Sequence, residues 1–333
     1  MPQWPYIPHQ PKSLLRCGRK PPEEDMIDTL LSSKLEIVEG LTQSAPTISP
    51  KYFYDSKGSA LFEKITHLAE YYLTRIEQEI MATQAAVIAA NVGTGCTLIE
   101  LGAGNCQKAR VMCELIAPAR FVAVDISEEF LHEAVNGLRS ALPAIDIRAV
   151  AADLSTQIVL PADLPLQQRL VFYPGSSIGN FDPAQAQALL ERTRGLLGMD
   201  GALLMGVDLI KDLAVLDAAY NDRAGVTAAF NLNVLNHVNR LIGSDFDLRQ
   251  WKHLAFFNET ESRIEMHLVA ATDTLVRWSG GQRSFARGER IHTENSYKYQ
   301  AEDFLALLAR AGFSRTQVWS DERGWFAVIL ARP

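Results

Sequence analysis

Three groups of residues in this sequence have the type and spacing to hold a nucleotide. The apolar run Leu98-Ile99-Glu100-Leu101 leads into Gly102-Ala103-Gly104, and a helix-like segment follows from Gln107. A strand, a glycine turn and a helix open a nucleotide-binding crossover, because glycines let a ligand approach the backbone and the helix start offers free N–H groups. The next strand, "FVAVDI", ends at Asp125, whose carboxylate can accept from both hydroxyls of a ribose. The strand after that runs into "AADL", where Asp153 could accept from an adenine amino group. A dinucleotide fingerprint needs a third glycine to pack its helix against a pyrophosphate, and that place is the polar Gln107, followed by Lys108. The pattern therefore points to S-adenosylmethionine rather than NAD. Taken singly, the glycines could be a tight turn and Asp125 a helix N-cap; signals at consecutive strand ends favour the cofactor.

Other residues could hold an acceptor. The fourth strand ends in "FYPGSSIGNF", where the Gly175-Ser176-Ser177 loop exposes backbone N–H groups and Asn180 follows. Sheets of this kind bind ligands at the carboxyl ends of their strands. Asn180 could equally be a turn residue ahead of the "DPAQAQ" helix. Glu294 and Ser296 are two apart, so on a strand both face one side, where they could hold a polar ring or stand solvated on an edge. In "KYFYDS", Phe53 and Tyr54 suit either a cation-facing pocket or a buried aromatic cluster.

These residues need a frame, and the chain supplies alternating strands and helices. "TLIEL", "FVAVDI", "IDIRAVAA", "RLVFYP" and "ALLMGVDL" read as strands, with "QKARVMCELI", "EEFLHEAVNGLRSAL" and "PAQAQALLERTRGLL" as helices between them. That alternation implies an α/β fold with a doubly wound parallel sheet covered on both faces. Upstream, "DSKGS" reads as a turn before a short helix, and one longer helix is expected from about Thr74 to Ala90. After Ile210 the pattern becomes helical, "HLAFFNETESRIEMHLVAATDTLVRW" then reads as a meander, and a helix with a closing hairpin ends the chain. The division expected is an arm at 1–25, a discontinuous α+β substrate domain at 26–73 and 211–298, and a cofactor domain at 74–210 and 299–333.

Composition narrows the function. With 333 residues, 47% hydrophobic, the chain can bury one large core or two modest ones. A net charge of −7 without a basic stripe argues against nucleic acid. No apolar run approaches membrane-spanning length, and the N-terminus lacks the apolar middle of a signal peptide. Cys17, Cys96, Cys106 and Cys113 show no CxxC spacing, and the histidines form no HExxH, so no metal site is expected and a reducing, cytoplasmic setting fits.

Longer motifs carry a family resemblance. "KYFYDSKGSALFEKITHLAEYYLTRIEQEI", "ELGAGNCQK", "GSSIGNF", "AAYNDRAGVTAAFNLNVLNHVNRLIGSDFD", "ESRIEMHL" and "IHTENSYKY" together resemble the histidine-specific Nα-methyltransferases, from about Ile48 onward. That resemblance implies a Rossmann-like class I methyltransferase sheet and trimethylation of L-histidine to hercynine, the betaine precursor of ergothioneine, by a monomer with a small-molecule substrate. By the same resemblance, Tyr54 lies near the reacting nitrogen and its water. Tyr71 contacts the imidazole, Asn180 and Tyr220 hold the α-carboxylate, and Met266 lines the pocket. Glu294 and Ser296 grip the imidazole, and Gly102, Lys108, Asp125 and Asp153 serve the cofactor. One departure is Leu154, where the family carries phenylalanine beside the adenine-binding acid.

Methyl transfer from a sulfonium needs a neutral amine, close alignment and little water. The α-amino group is largely protonated at neutral pH, so a proton must leave, and Tyr54 through a water could relay it. An Nα-methyltransferase of a tryptophan-like amino acid is the competing enzyme, disfavoured by Glu294 because an indole has one donor and no acceptor. A non-catalytic adenosine-binding regulator would explain the glycine turn and its acids, but not the full set of polar residues on the substrate side. A dehydrogenase is disfavoured by the missing third glycine.

Overall fold

The computed structural model describes residues 23–333, so most of the expected N-terminal arm, with Cys17, lies outside the described residues. The chain enters on α1 (Glu23–Thr42), a 3-10 turn at Pro50–Phe53, α2 (Ser56–Thr66), α3 (Tyr72–Thr83) and α4 (Ala85–Val92). The alternating part follows as β1 (Thr97–Leu101), α5 (Gln107–Ile116), β2 (Arg120–Asp125), α6 (Glu128–Ala141), β3 (Asp146–Ala151), β4 (Arg169–Tyr173), α7 (Pro183–Gly195) and β5 (Ala202–Asp208). Next come α8 (Leu213–Tyr220), α9 (Val226–Ile242), β6 (Trp251–Asn258), β7 (Arg263–Ala270), β8 (Thr274–Trp278), β9 (Gly281–Phe285) and β10 (Arg290–Tyr297). Helix α10 (Ala301–Arg310) and the hairpin β11 (Arg315–Ser320) and β12 (Phe326–Arg332) close the chain.

The large sheet has the order β11-β12-β5-β4-β1-β2-β3, with β1 to β5 parallel and β12 antiparallel to β5. Consecutive strands step outward from β1 to β3, then the chain returns to place β4 on the other side of β1. That reversal opens a crevice at the carboxyl end of β1, where ligands bind in such sheets. Both faces are covered, so the inner strands β1, β2, β4, β5 and β12 are buried on both sides, while the edge strands β3 and β11 are more exposed. Leu98, Phe121, Leu170 and Leu204 join one buried cluster, while their neighbours Ile99, Val122, Val171 and Leu203 join another under α7 and α10. The first cluster continues without a break into α9 and the small sheet, through Phe230, Val234, Ile264 and Met266.

Three local expectations are corrected. "DSKGS" is the first turn of α2 rather than a separate turn, because the Asp55 side chain accepts from Gly58 N and caps the helix. The long helix expected from Thr74 to Ala90 is two, parted at Gln84, since α3 packs against β12 and α4 against α5. The meander breaks after β7: β8 turns away to pair with β9, and β10 returns to β7, giving a three-stranded sheet β10-β7-β6. Among the described residues no helix is long and apolar enough to cross a membrane.

Candidate active site

A cavity of about 690 Å³ opens at the carboxyl ends of β1, β2 and β3 and is lined by Gly102, Lys108, Asp125 and Asp153. Gly102 and Gly104 have φ of +68° and +51°, and a Cβ on either would meet no protein atom within 4 Å. The turn therefore exposes bare backbone to the cavity. One oxygen of Asp125 accepts from Gly104 N and the other from Ser127 N, both at 2.9 Å. Burial raises its pKa, and those backbone N–H groups only partly offset the effect. A carboxylate has about four lone-pair sites, so acceptor capacity remains for a ligand.

Asp153 stands at the next strand end and accepts from Ser155 N at 2.8 Å, Ser155 Oγ at 2.6 Å and Lys51 Nζ at 3.3 Å. Burial would raise its pKa, but the Ser155 bonds and Lys51 outweigh that and lower it, so it is an ionised acceptor. Leu154 lines the cavity beside it. Lys108 is already paired: its Nζ lies 2.6 Å from Glu77 Oε2, while Glu77 Oε1 accepts from Gly175 N at 2.7 Å. The Glu77 carboxylate thereby ties α5 to α3 and to the loop after β4. Buried Glu100 also lines the cavity, with its pKa raised well above normal by burial and its Oε2 without a partner. A glycine cradle, acids at two successive strand ends and an orphaned buried carboxyl fit S-adenosylmethionine, whose adenosine carries both donors and acceptors.

A smaller chamber of about 50 Å³ adjoins the large one. Tyr54, Phe62, Tyr71, Gly175, Ser177 and Asn180 line both. Tyr54, Tyr71, Asn180, Tyr220, Met266, Glu294 and Ser296, all expected on the substrate side, line the chamber together. They arrive from six separate segments. Tyr54 follows the Pro50–Phe53 turn and packs edge-on against Phe62 and Phe230, each 5.9 Å away. Its loop is pinned to α9, because Asp55 accepts from Asn233 Nδ2 at 2.8 Å and pairs with Arg240. Tyr71 stands at the start of α3. Burial raises the pKa of both Tyr54 and Tyr71 well above normal, so each is a neutral phenol rather than a phenolate base.

Asn180 ends a 3-10 turn, Ser177–Asn180, preceded by Ser176 in the left-handed region at φ 59°. That conformation is costly for a serine, and the Ser176 Oγ accepts from Asp208 N at 2.8 Å, fastening the turn to β5. The turn also packs hard on β10: a Cβ at Gly179 would stand 2.8 Å from Tyr297 O. A glycine there lets Asn180 approach Glu294 and Ser296.

The small sheet aims the last three residues. His292 pairs with His267, but Glu294 pairs with Met266, so one extra residue, Thr293, is inserted between them. Because strand side chains alternate, an unbulged β10 would turn Glu294 and Ser296 to the His267 face; the bulge turns them to the Met266 face, into the chamber. The Thr293 hydroxyl lies 2.8 Å from Asn231 Oδ1 and 3.0 Å from Met266 O, which anchors the bulge. Burial pushes the Glu294 carboxyl up to about 8, opposed by the Lys298 charge. Tyr220, at the end of α8, donates to Ser296 Oγ at 2.7 Å.

Sequence pattern alone missed several residues of the site. Lys298 donates to both Ser296 Oγ and Tyr220 OH, at 2.8 and 3.1 Å. It had a signal, since the two-residue step from 294 to 296 next reaches 298. Asp208 ends β5 as Asp125 ends β2, and Glu77 interrupts the apolar face of α3, between Leu73 and Ile80. Lys51 had no signal. On the other face of the small sheet, Glu265, His267 and His292 are close enough to hold a metal ion. That carboxylate is engaged by Arg263, Asn258 and His267, at 2.7, 2.9 and 3.0 Å.

A family described as "Histidine-specific methyltransferase, SAM-dependent" matches residues 33–333. The chain is 41% identical to the histidine N-alpha-methyltransferase of Mycolicibacterium smegmatis, over 89% of this chain and 93% of that one. It is 36% identical to the histidine N-alpha-methyltransferase of Mycobacterium tuberculosis, over 90% and 95%. It is also 30% identical to ergothioneine biosynthesis protein 1 of Neurospora crassa, over 84% of this chain and 32% of that protein.

Proposed function

The chain belongs to the family of histidine-specific, S-adenosylmethionine-dependent methyltransferases, and from that premise we infer that it trimethylates the α-amino group of L-histidine to hercynine, as in ergothioneine biosynthesis. The observation that carries this reading is the pair of adjoining cavities, one built for adenosine and one lined by Asn180, Tyr220, Glu294 and Ser296. When bound, S-adenosylmethionine supplies an electrophilic methyl on a sulfonium. Asp125 would hold its ribose, Asp153 its adenine, and Gly102 and Gly104 its approach along the backbone. Lys108, already paired with Glu77, would complete the cofactor side.

On the substrate side, Asn180 and Tyr220 would orient the α-carboxylate, which leaves the amino group facing the shared wall of Tyr54 and Tyr71. Glu294 accepts the imidazole N–H, Ser296 serves the other ring nitrogen, and Met266 sets the depth. Tyr54, as a neutral phenol, passes the amine proton through its hydroxyl rather than storing it. The aromatic wall tolerates growing bulk and can face the final quaternary cation. The proposal includes a monomer working in the cytoplasm on this small molecule, without nucleic acid or membrane, in keeping with a net charge of −7.

The test is purified protein with S-adenosylmethionine and each of the twenty amino acids, read by mass spectrometry. Successive mono-, di- and trimethylated products from histidine alone are expected. A product from tryptophan in preference to histidine, or none at all, would overturn the substrate assignment.

A further inference from the structure

Behind the chamber wall lies a charge that the substrate contacts above do not use. Lys298 directly follows β10, four residues beyond Glu294, and its side chain is fully buried. Its ammonium has three donors and three placed acceptors: Asp208 Oδ2 at 2.8 Å, Ser296 Oγ at 2.8 Å and Tyr220 OH at 3.1 Å. Asp208 is also paired with Lys211, equally buried, which in turn donates to Tyr72 OH at 2.8 Å. Two buried lysines face one carboxylate, so the cluster carries a surplus positive charge, and Lys298 is the lysine that touches two hydroxyls lining the chamber, those of Tyr220 and Ser296.

Lys298 also limits the hydroxyls. It occupies a lone pair on each, and their oxygens stand 2.7 Å apart, so one O–H lies between them. A single hydroxyl proton then remains for the chamber. If Tyr220 directs it at a carboxylate, Ser296 turns its own O–H onto Tyr220 and offers a lone pair to the ring. We propose that Lys298 is a positioning and specificity-determining residue that, through Tyr220 and Ser296, makes an α-carboxylate on the ligand a condition of tight binding. This rests on the assignment of histidine as the substrate. Asp208 and Tyr220 hold the ammonium charged, since their influence outweighs burial and raises its pKa.

The experiment compares histidine with histamine, which has the same ring and amine but no carboxylate. Dissociation constants are measured by calorimetry in the presence of S-adenosylhomocysteine, alongside steady-state kinetics with histidine. Lys298→Met should weaken histidine binding by about ten- to a hundredfold, the scale of a lost charged hydrogen bond. Histamine affinity should stay within about threefold, so the preference collapses. KM for histidine should rise while kcat changes by less than about threefold. Lys211→Met is the control: it strips the same carboxylate of a lysine and lowers Tm, but touches neither hydroxyl, so it should keep the preference. If Lys298→Met does not fold, Lys298→Gln carries the same expectation. A preference unchanged in the Lys298 variant, or lost equally in the Lys211 variant, overturns the inference. If the wild type fails to methylate histidine, the substrate assignment falls instead.

Discussion

Glu294 on β10 stands directly opposite Met266 on β7, with both side chains in the inner chamber. One residue brings a carboxyl, the other an adaptable apolar surface, and together they meet whatever ring enters. Burial pushes the Glu294 carboxyl up to about 8, so it accepts the imidazole N–H on a carbonyl oxygen, and its removal leaves that N–H buried and unpaired. Glu294→Ala, alone or with Met266→Val, should therefore lower kcat/KM for histidine by about ten- to a hundredfold. The ratio of tryptophan to histidine turnover should rise, because an indole loses no second polar partner and gains room. Competitive turnover of both amino acids in one tube measures this. Equal loss of both substrates would place specificity elsewhere.

Asp125 is fixed by two backbone N–H groups and still faces the large cavity. Asp125→Ala should weaken S-adenosylmethionine by about 1.5–3 kcal/mol, the value of hydrogen bonds to a charged group. Calorimetry on the folded variant checks it, and Glu294→Ala should leave that affinity unchanged because Glu294 lines only the inner chamber.

Asn180 is presented by a turn that the tight contact at Gly179 and the strained Ser176 hold in place. If it clamps the α-carboxylate with Tyr220, Asn180→Ala should raise KM for histidine about tenfold, as for the loss of one good hydrogen bond to a charged group. Histamine should be a very poor substrate of the wild type. Methylation of histamine as fast as histidine would rule out the clamp.

The Glu294 carboxyl titrates near 8 in the folded chain against an ordinary value of 4.5. A raised folded pKa means the native state holds the proton more tightly than the unfolded state. The associated stability is complete below about pH 4.5 and is lost as pH rises through about 8. The wild type should thus lose stability relative to Glu294→Gln across that interval, measured by urea midpoints at several pH values. Parallel curves for the two proteins would show that Glu294 is ionised in the free enzyme.

The alternation of strands and helices, the glycine turn and the acids ending β2 and β3 were all legible in the chain, because each is local and follows from side-chain period and backbone sterics. The two-residue spacing of Glu294 and Ser296 was legible for the same reason. Which way that pair points was not. The Thr293 bulge decides it, and the bulge is held by Asn231 on α9 and by Met266 O on β7, contacts made only once the sheet and helix have packed. The charge behind the pair was equally hidden: Asp208, Lys211 and Lys298 come from β5, the segment after it and the residue that follows β10, and a buried cluster of that kind exists only where separate elements exclude water together. Composition and period determined the scaffold and the cofactor side, since those groups sit at strand ends within one continuous stretch. Tertiary packing decided the substrate chamber, since its residues arrive from six separate segments.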